Sequence, residues 1–199
     1  TGSTNLYFSG GSALNINLNT KFAFSNIFED VYVPPCCSDT GLALGAIAIV
    51  QKLRGGKVRK HSPFIGTIGV EEKKVVKLTE ELVEEIVDRL YREEVMGVCI
   101  GYCESGPRAL GHRSLLAIPS SLKMYDRVNT DIKKREWYRP LAPIIIDELA
   151  EMVFPNSTKT DLSKYMLCNF DVSKDWKEKI PAVVHVDGSA RAQVIYKKD

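Results

Sequence analysis

Hydrophobic and polar positions follow helical spacing in some segments and strand-like runs in others. At 82–91, apolar residues recur at helical spacing behind Thr79, which predicts an amphipathic helix with Thr79 as its N-cap and one buried face. The segment 40–53 is apolar nearly all round and predicts a buried helix that Asp39 caps. The apolar run 95–102 predicts a buried strand.

The remaining pattern alternates in the same way and predicts an α/β or α+β class. Helices are expected from Ser12, over 122–134 and from Asp147 to about Phe154. Strands are expected at 6–9, 31–33, 141–146, 165–172, 182–186 and 192–196. The basic, glycine-rich stretch that begins at Arg54 predicts a linker up to about Lys60 between two separately packed units.

Composition and charge narrow the class of protein. The chain has 199 residues, of which 44% are hydrophobic and 26% charged, and this mixture is typical of a globular protein. Its net charge of +2 gives no strong attraction to nucleic acid or to a membrane, so neither is an expected partner. The start of the chain lacks the pattern of a secretory signal, and the five cysteines show no CxxC spacing. We therefore expect a cytoplasmic protein with buried thiols at Cys99 and Cys103 and a surface position for His61.

The segment 104–114 (ESGPRALGHRS) carries the strongest chemical signal. It follows a predicted strand and contains two glycines, so its backbone N–H groups could form a concave anion site. Arg108 and Arg113 could add bidentate contacts to phosphate or carboxylate oxygens. The alternative is a solvated turn whose arginines pair with acids, and composition leaves both interpretations open.

Two further segments carry candidate ligand groups. In 131–140 (DIKKREWYRP), the basic residues could bind a polyphosphate while Trp137 or Tyr138 stacks on a base, or the segment could be an exposed helix end. In 185–191 (HVDGSAR), a histidine, an aspartate, a hydroxyl and an arginine follow a predicted strand, or they could form a plain Asp-Gly turn. Asp39 is either an N-cap or a metal ligand.

Five strings in this order and spacing closely resemble the NodU/CmcH family of O-carbamoyltransferases over nearly the whole chain. They are GGSALN at 10–15, VPPCCSDTGLALGA at 33–46, ESGPRALGHRSLLA at 104–117, MYDRVNTDIKKREWYRPLAP at 124–143 and HVDGSARAQV at 185–194. The third and fourth strings are long and specific to the family.

The resemblance implies an enzyme with two domains. Residues 1–57 would be the C-terminal tail of an actin/Hsp70-like carbamoyltransferase domain, and residues 58–199 an incomplete YrdC-like domain. The YrdC-like domain would make carbamoyl-adenylate from carbamoyl phosphate and ATP. The carbamoyl group would then pass to a hydroxyl of a small-molecule acceptor, a sugar or a natural product. Whether the protein forms a homodimer stays open.

The resemblance also implies roles for individual residues. Gly10 and Gly11 match a glycine pair that approaches adenosine. Asp39 matches an aspartate that, with two histidines, holds a divalent metal, iron being expected and magnesium the alternative. The residues expected to contact the phosphates of ATP or carbamoyl phosphate, and to act in catalysis, are Arg108, Lys133 and Arg191.

Departures from the family pattern leave other functions open. An HxxxH histidine pair and an NTSFN-type motif are absent from this sequence. We therefore expect a C-terminal fragment of a larger enzyme that holds half of each site and is inactive alone. The alternatives are a YrdC-like protein of tRNA threonylcarbamoyl-adenosine synthesis, a carbamoyltransferase of hydrogenase maturation, and a non-catalytic binding fragment.

Overall fold

The computed structural model describes residues 2–58, 62–68 and 76–197. Helices and short strands alternate along these ranges, which confirms the predicted mixture of α and β structure. The helices are α1 (Ile16–Ala23), α2 (Leu42–Leu53), α3 (Glu80–Tyr91), α4 (Leu122–Asp126), α5 (Asp147–Val153) and α6 (Lys174–Lys177). The strands are β1 (Asn5–Tyr7), β2 (Asp30–Tyr32), β3 (Met96–Cys99), β4 (Arg113–Leu116), β5 (Ile144–Ile146), β6 (Phe170–Asp171), β7 (Ser189–Ala190) and β8 (Gln193–Ile195). His61 and the end of the predicted linker, 59–60, lie outside the described residues.

The strands pair two by two. β1–β2 and β5–β8 are parallel, whereas β3–β4 and β6–β7 are antiparallel. In the β5–β8 pair, Ile144 lies opposite Gln193 and Ile146 opposite Ile195. β5, which follows the basic segment 131–140, therefore lies directly beside β8, which follows Arg191.

The buried core draws on residues far apart in the sequence. Fully buried Asn19 joins them, since its Nδ2 donates to the carbonyl oxygens of Ala13 at 2.8 Å and Leu167 at 2.9 Å. The core residues are Ala13, Val31, Val33, Cys37, Val153, Phe154, Leu162, Leu167, Cys168, Phe170, Val172, Ala190 and Ala192. These contacts cross position 57, and the assignment of two domains stays a prediction.

α2, which was expected to be buried nearly all round, and α3, which was expected to bury one face, contain no fully buried residue. In α2 no residue is buried, and Leu42 and Leu53 are 69% and 81% exposed. In α3 the predicted cap is confirmed, because Thr79 Oγ1 accepts from the backbone N–H of Leu82, but its apolar face is not buried. An apolar pattern shows that a helix favours burial, yet burial also needs a partner surface. The described residues cover neither helix fully, although Leu82, Ile86 and Leu90 of α3 are half-buried.

The predicted buried strand and buried thiols are also wrong. β3 forms a two-stranded antiparallel ribbon with β4, and its residues alternate between half-buried and exposed. A ribbon of two strands has an open face, so Cys99 is exposed and Cys103 half-buried. All five cysteines are free thiols. Within the described ranges, no helix combines the length and apolar character that crossing a bilayer requires.

Two predicted strands are shorter than expected or absent. Of 165–172, only Phe170–Asp171 forms a strand. Within 182–186 the chain instead makes a 3₁₀ turn, Pro181–Val183, because proline at its first position fixes a turn conformation and lacks an N–H for a ladder. α5 begins at Asp147 as predicted, and β8 lies within the predicted strand at 192–196.

Candidate functional site

A cavity of about 370 Å³ lies where the loop after β3, the segment after α4 and the β7–β8 segment meet. Arg108, Lys133 and Arg191 come from these three places and all line it. Arg135 and Arg139 line it as well. The structure therefore brings together the three cationic residues that the sequence singled out.

Glu104 organises the loop that carries Arg108. Its Oε1 accepts backbone N–H bonds from Leu110 at 2.7 Å, His112 at 2.9 Å and Arg113 at 3.1 Å. Burial acts to raise the pKa of Glu104, but these donors outweigh burial and lower it. The loop is thus folded around one carboxylate, which leaves Arg108 to face the cavity.

Arg113, the other arginine of this loop, has a structural role. Its guanidinium donates to the carbonyl oxygens of Ile100 at 2.8 Å and Gly101 at 2.9 Å, and to those of Thr67 and Ile68. It is not among the residues that line the cavity. The predicted contact between Arg113 and an anion is therefore wrong, because backbone carbonyls already occupy its donors.

The segment that carries Lys133 is held by a buried amide. After α4 the helix continues as a π-helical turn, Arg127–Ile132, and Lys133 follows it directly. Within that turn Asn129 is fully buried: its Oδ1 accepts from Arg135 Nε at 2.7 Å, and its Nδ2 donates to the carbonyl of Arg139 at 2.9 Å. This amide fixes the basic segment against the cavity.

Polar side chains in the turn before Arg191 bond to one another, although His185 Nε2 is buried without a partner among the described residues. Ser189 Oγ donates to Asp187 Oδ1 at 2.7 Å, and His185 Nδ1 lies 3.1 Å from the same hydroxyl. Neither His185 nor Asp187 lines the cavity. Of the predicted ligand groups in 185–191, the structure therefore places only Arg191 at the cavity.

Three cations of the cavity lack carboxylate partners among the described residues, whereas Arg139 pairs with Glu136 at 2.7 Å. No ion pair within the described ranges involves Arg108, Lys133 or Arg191, and the Nε atoms of both arginines are buried without a hydrogen-bond partner there. Burial lowers the pKa of Arg108. Burial, then the charges of Arg108 and Arg135, lowers the pKa of Arg191 to about 10. Partial desolvation and the charge of Arg135 lower the pKa of Lys133, which lies exposed at the cavity mouth.

A second cavity of about 560 Å³ lies beside α2, and both Gly10 and Asp39 line it. Gly10 has a φ of 99°, which favours glycine, and its N–H donates to the carbonyl of Cys37 at 2.6 Å. Gly11 opens the 3₁₀ turn Gly11–Leu14 next to this cavity. Asp39 does not cap α2, whose N-cap is Gly41.

A metal ion does not fit the donors around Asp39. Within the part of the chain that the structure describes, no three side chains of histidine, cysteine, aspartate or glutamate cluster in a way that could hold one. Transition metals bound by proteins need several such ligands. The described residues alone therefore provide no metal centre, and no chemical step is assigned to one.

Sequence reasoning missed two residues of the first cavity region, Asn129 and Gln193. Both are polar and buried, and Gln193 lines the cavity. For Gln193 the sequence did give a signal, because it is a polar residue near the start of the otherwise apolar predicted strand 192–196. Such a residue is uncommon in a buried strand unless its polar groups are hydrogen-bonded. The exposed pair Trp137 and Tyr138 lies outside this cavity, with ring centroids 5.9 Å apart, and base stacking there stays a prediction.

Comparison with known proteins gives consistent matches along the chain. A family model described as carbamoyltransferase C-terminus matches residues 87–199, and one described as carbamoyltransferase N-terminus matches residues 1–49. Nodulation protein U of Bradyrhizobium diazoefficiens is 37% identical over 198 residues, which cover 98% of this chain and 34% of that protein. Nodulation protein NolO of the same organism is 33% identical over 213 residues, covering 100% of this chain and 39% of that protein. The chain thus spans about a third of the length of the relatives it matches.

Proposed function

Because this chain belongs to the carbamoyltransferase family, we propose that its cationic cavity binds the phosphate groups of ATP and carbamoyl phosphate and takes part in forming carbamoyl-adenylate. The observation that carries this proposal is the convergence of Arg108, Lys133 and Arg191 on one cavity without a carboxylate among the described residues to pair with them. The carbamoyl group then passes to a hydroxyl of a small-molecule acceptor.

The charges of the cavity favour an anionic ligand. Desolvated like charges repel, and burial, followed by this repulsion, lowers the pKa of Arg191. A phosphate group between the cations offsets the repulsion and supplies acceptors for N–H groups that lack one, as the Nε–H groups of Arg108 and Arg191 do among the described residues. Fixed cations of this kind also stabilise charge that develops in phosphoryl and nucleotidyl transfer.

The proposed reaction has two steps and needs no covalent enzyme intermediate. Water releases phosphate from carbamoyl phosphate and leaves carbamate. A carbamate oxygen then attacks the α-phosphorus of ATP, the bond to the β-phosphate oxygen breaks, and pyrophosphate leaves. Arg108, Lys133 and Arg191 hold the negatively charged reactants in line and stabilise the departing pyrophosphate.

The domain assignment is part of the same proposal. Residues 1–57 would belong to an actin/Hsp70-like domain and residues 58–199 to a YrdC-like domain. In a protein of the relatives' length, Gly10 and Gly11 would approach adenosine, and Asp39 would join two histidines on a metal ion. The parallel strands β1–β2 and the shared cavity of Gly10 and Asp39 agree with a ligand site in that region.

ATP–pyrophosphate exchange that depends on carbamoyl phosphate tests the proposal in a protein extended to the length of its relatives. We expect Lys133→Ala to lower exchange by about 100-fold or more. The matched control is Lys123→Ala, which removes an exposed lysine of α4 that does not line the cavity. Equal exchange in the two variants would show that Lys133 is not part of the site.

A further inference from the structure

Gln193 stands apart from the other polar residues of the cavity. It begins β8, where it lies opposite Ile144, and its backbone N–H donates to the carbonyl of Pro143 at 2.9 Å. It is only 5% exposed and lines the cavity two positions after Arg191. Its backbone is therefore held against β5, and its side chain has a defined place in the site.

The orientation of its amide is fixed by one hydrogen bond. Nε2 donates to the carbonyl of Leu110 at 3.0 Å, and this assigns the other amide atom, Oε1, as an acceptor. Oε1 is buried and has no donor among the described residues. A buried acceptor without a donor is unfavourable, so a ligand that brings an N–H group there gains affinity.

The charged lining of the cavity offers donors only, through its arginines and Lys133. Phosphate oxygens suit those donors but offer nothing to Oε1. We propose that Gln193 Oε1 accepts a hydrogen bond from the NH₂ group of carbamoyl phosphate and thereby selects a carbamoyl group over other acyl groups. In that ligand the NH₂ is bonded to the carbon next to the phosphate-bridging oxygen, close to the phosphate that the cations hold. This inference rests on the proposed function of the cavity.

Acetyl phosphate is the matched probe, because a methyl group replaces the NH₂ and the phosphate is unchanged. Titration calorimetry of the full chain should give about 10-fold tighter binding of carbamoyl phosphate than of acetyl phosphate. Equal affinity for the two would overturn this inference and leave the anion site intact. Failure to bind carbamoyl phosphate, acetyl phosphate and pyrophosphate would overturn the proposed function and this inference together.

Gln193→Met keeps the length of the side chain but removes the acceptor, together with the Nε2 donor to the carbonyl of Leu110. We expect the preference of this variant for carbamoyl phosphate over acetyl phosphate to fall to about 1, because loss of the bond to Leu110 affects both ligands alike. The matched control is Gln51→Met on exposed α2, which should keep the preference. A preference that survives Gln193→Met would overturn the inference. So would an equal loss of all three ligands, because Gln193 would then have only a structural role.

Discussion

Arg108 and Arg191 line one cavity, and each buries an Nε atom that has no hydrogen-bond partner within the described ranges. The charge of Arg108 adds to burial in lowering the pKa of Arg191 to about 10. Two arginines in this arrangement destabilise the unliganded fold and favour an anion. The charges that allow the cavity to bind an anion therefore lower the stability of the unliganded fold, as is common at functional sites.

Replacing one of these arginines with an apolar side chain should stabilise the fold and weaken anion binding. We expect Arg191→Met to raise the free energy of unfolding by about 1 kcal/mol and to weaken pyrophosphate binding at least about 10-fold. Urea unfolding and calorimetry measure the two effects. Arg89→Met, at an ion-paired position on α3, is the control and should change neither by a comparable amount. A large loss of stability in Arg191→Met would show that the guanidinium is satisfied in the folded chain.

Anion affinity should fall at alkaline pH. The pKa values of Lys133 and Arg191 are both lowered, the latter to about 10, so both groups lose their positive charge at lower pH than ordinary lysine and arginine. Binding needs the charged forms, and affinity is therefore fully present near neutral pH and falls as pH rises through about 10. Sulfate is the suitable probe because its own charge is constant over this range. An affinity for sulfate that does not change between about pH 7 and about pH 10 would contradict this account.

Glu104→Gln should loosen the loop that presents Arg108. The carboxylate accepts three backbone N–H bonds, and we expect its replacement to lower the free energy of unfolding by about 1–3 kcal/mol at neutral pH. Since the pKa of Glu104 is lowered by folding, its stabilisation is present above its unfolded pKa and is lost as pH falls through the folded value. The variant should therefore lose less stability than the unchanged chain on acidification below about pH 4.5.

Unfolding experiments at neutral and acidic pH check both parts of that prediction. Glu84→Gln on exposed α3 is the matched control, and it should alter neither stability nor its pH dependence. Glu104→Gln behaving like Glu84→Gln would mean that the three hydrogen bonds do not hold the loop.

Asp39 should not hold a metal ion in this chain. It is a single exposed carboxylate, and within the described ranges no cluster of three candidate ligands includes it. Elemental analysis of the purified chain should give well below one iron or zinc per chain. A stoichiometric metal that is lost in Asp39→Ala would contradict the prediction.

The sequence predicted local structure better than burial. The Thr79 cap and the start of α5 at Asp147 depend on neighbouring residues, and both are found as expected. The burial of α2 and β3 depends on partner surfaces that an apolar pattern does not specify, and both predictions are wrong. Composition also could not separate Arg108 from Arg113, because the direction of each depends on how Glu104 folds the loop between them.

A crystal structure of this chain with bound pyrophosphate would show whether the three cations form one phosphate site. We expect pyrophosphate in the cavity of about 370 Å³, with its oxygens within hydrogen-bond distance of Arg108, Lys133 and Arg191 together. Pyrophosphate bound elsewhere at saturating concentration, with these three side chains turned away from it, would contradict the claim that they form one phosphate site.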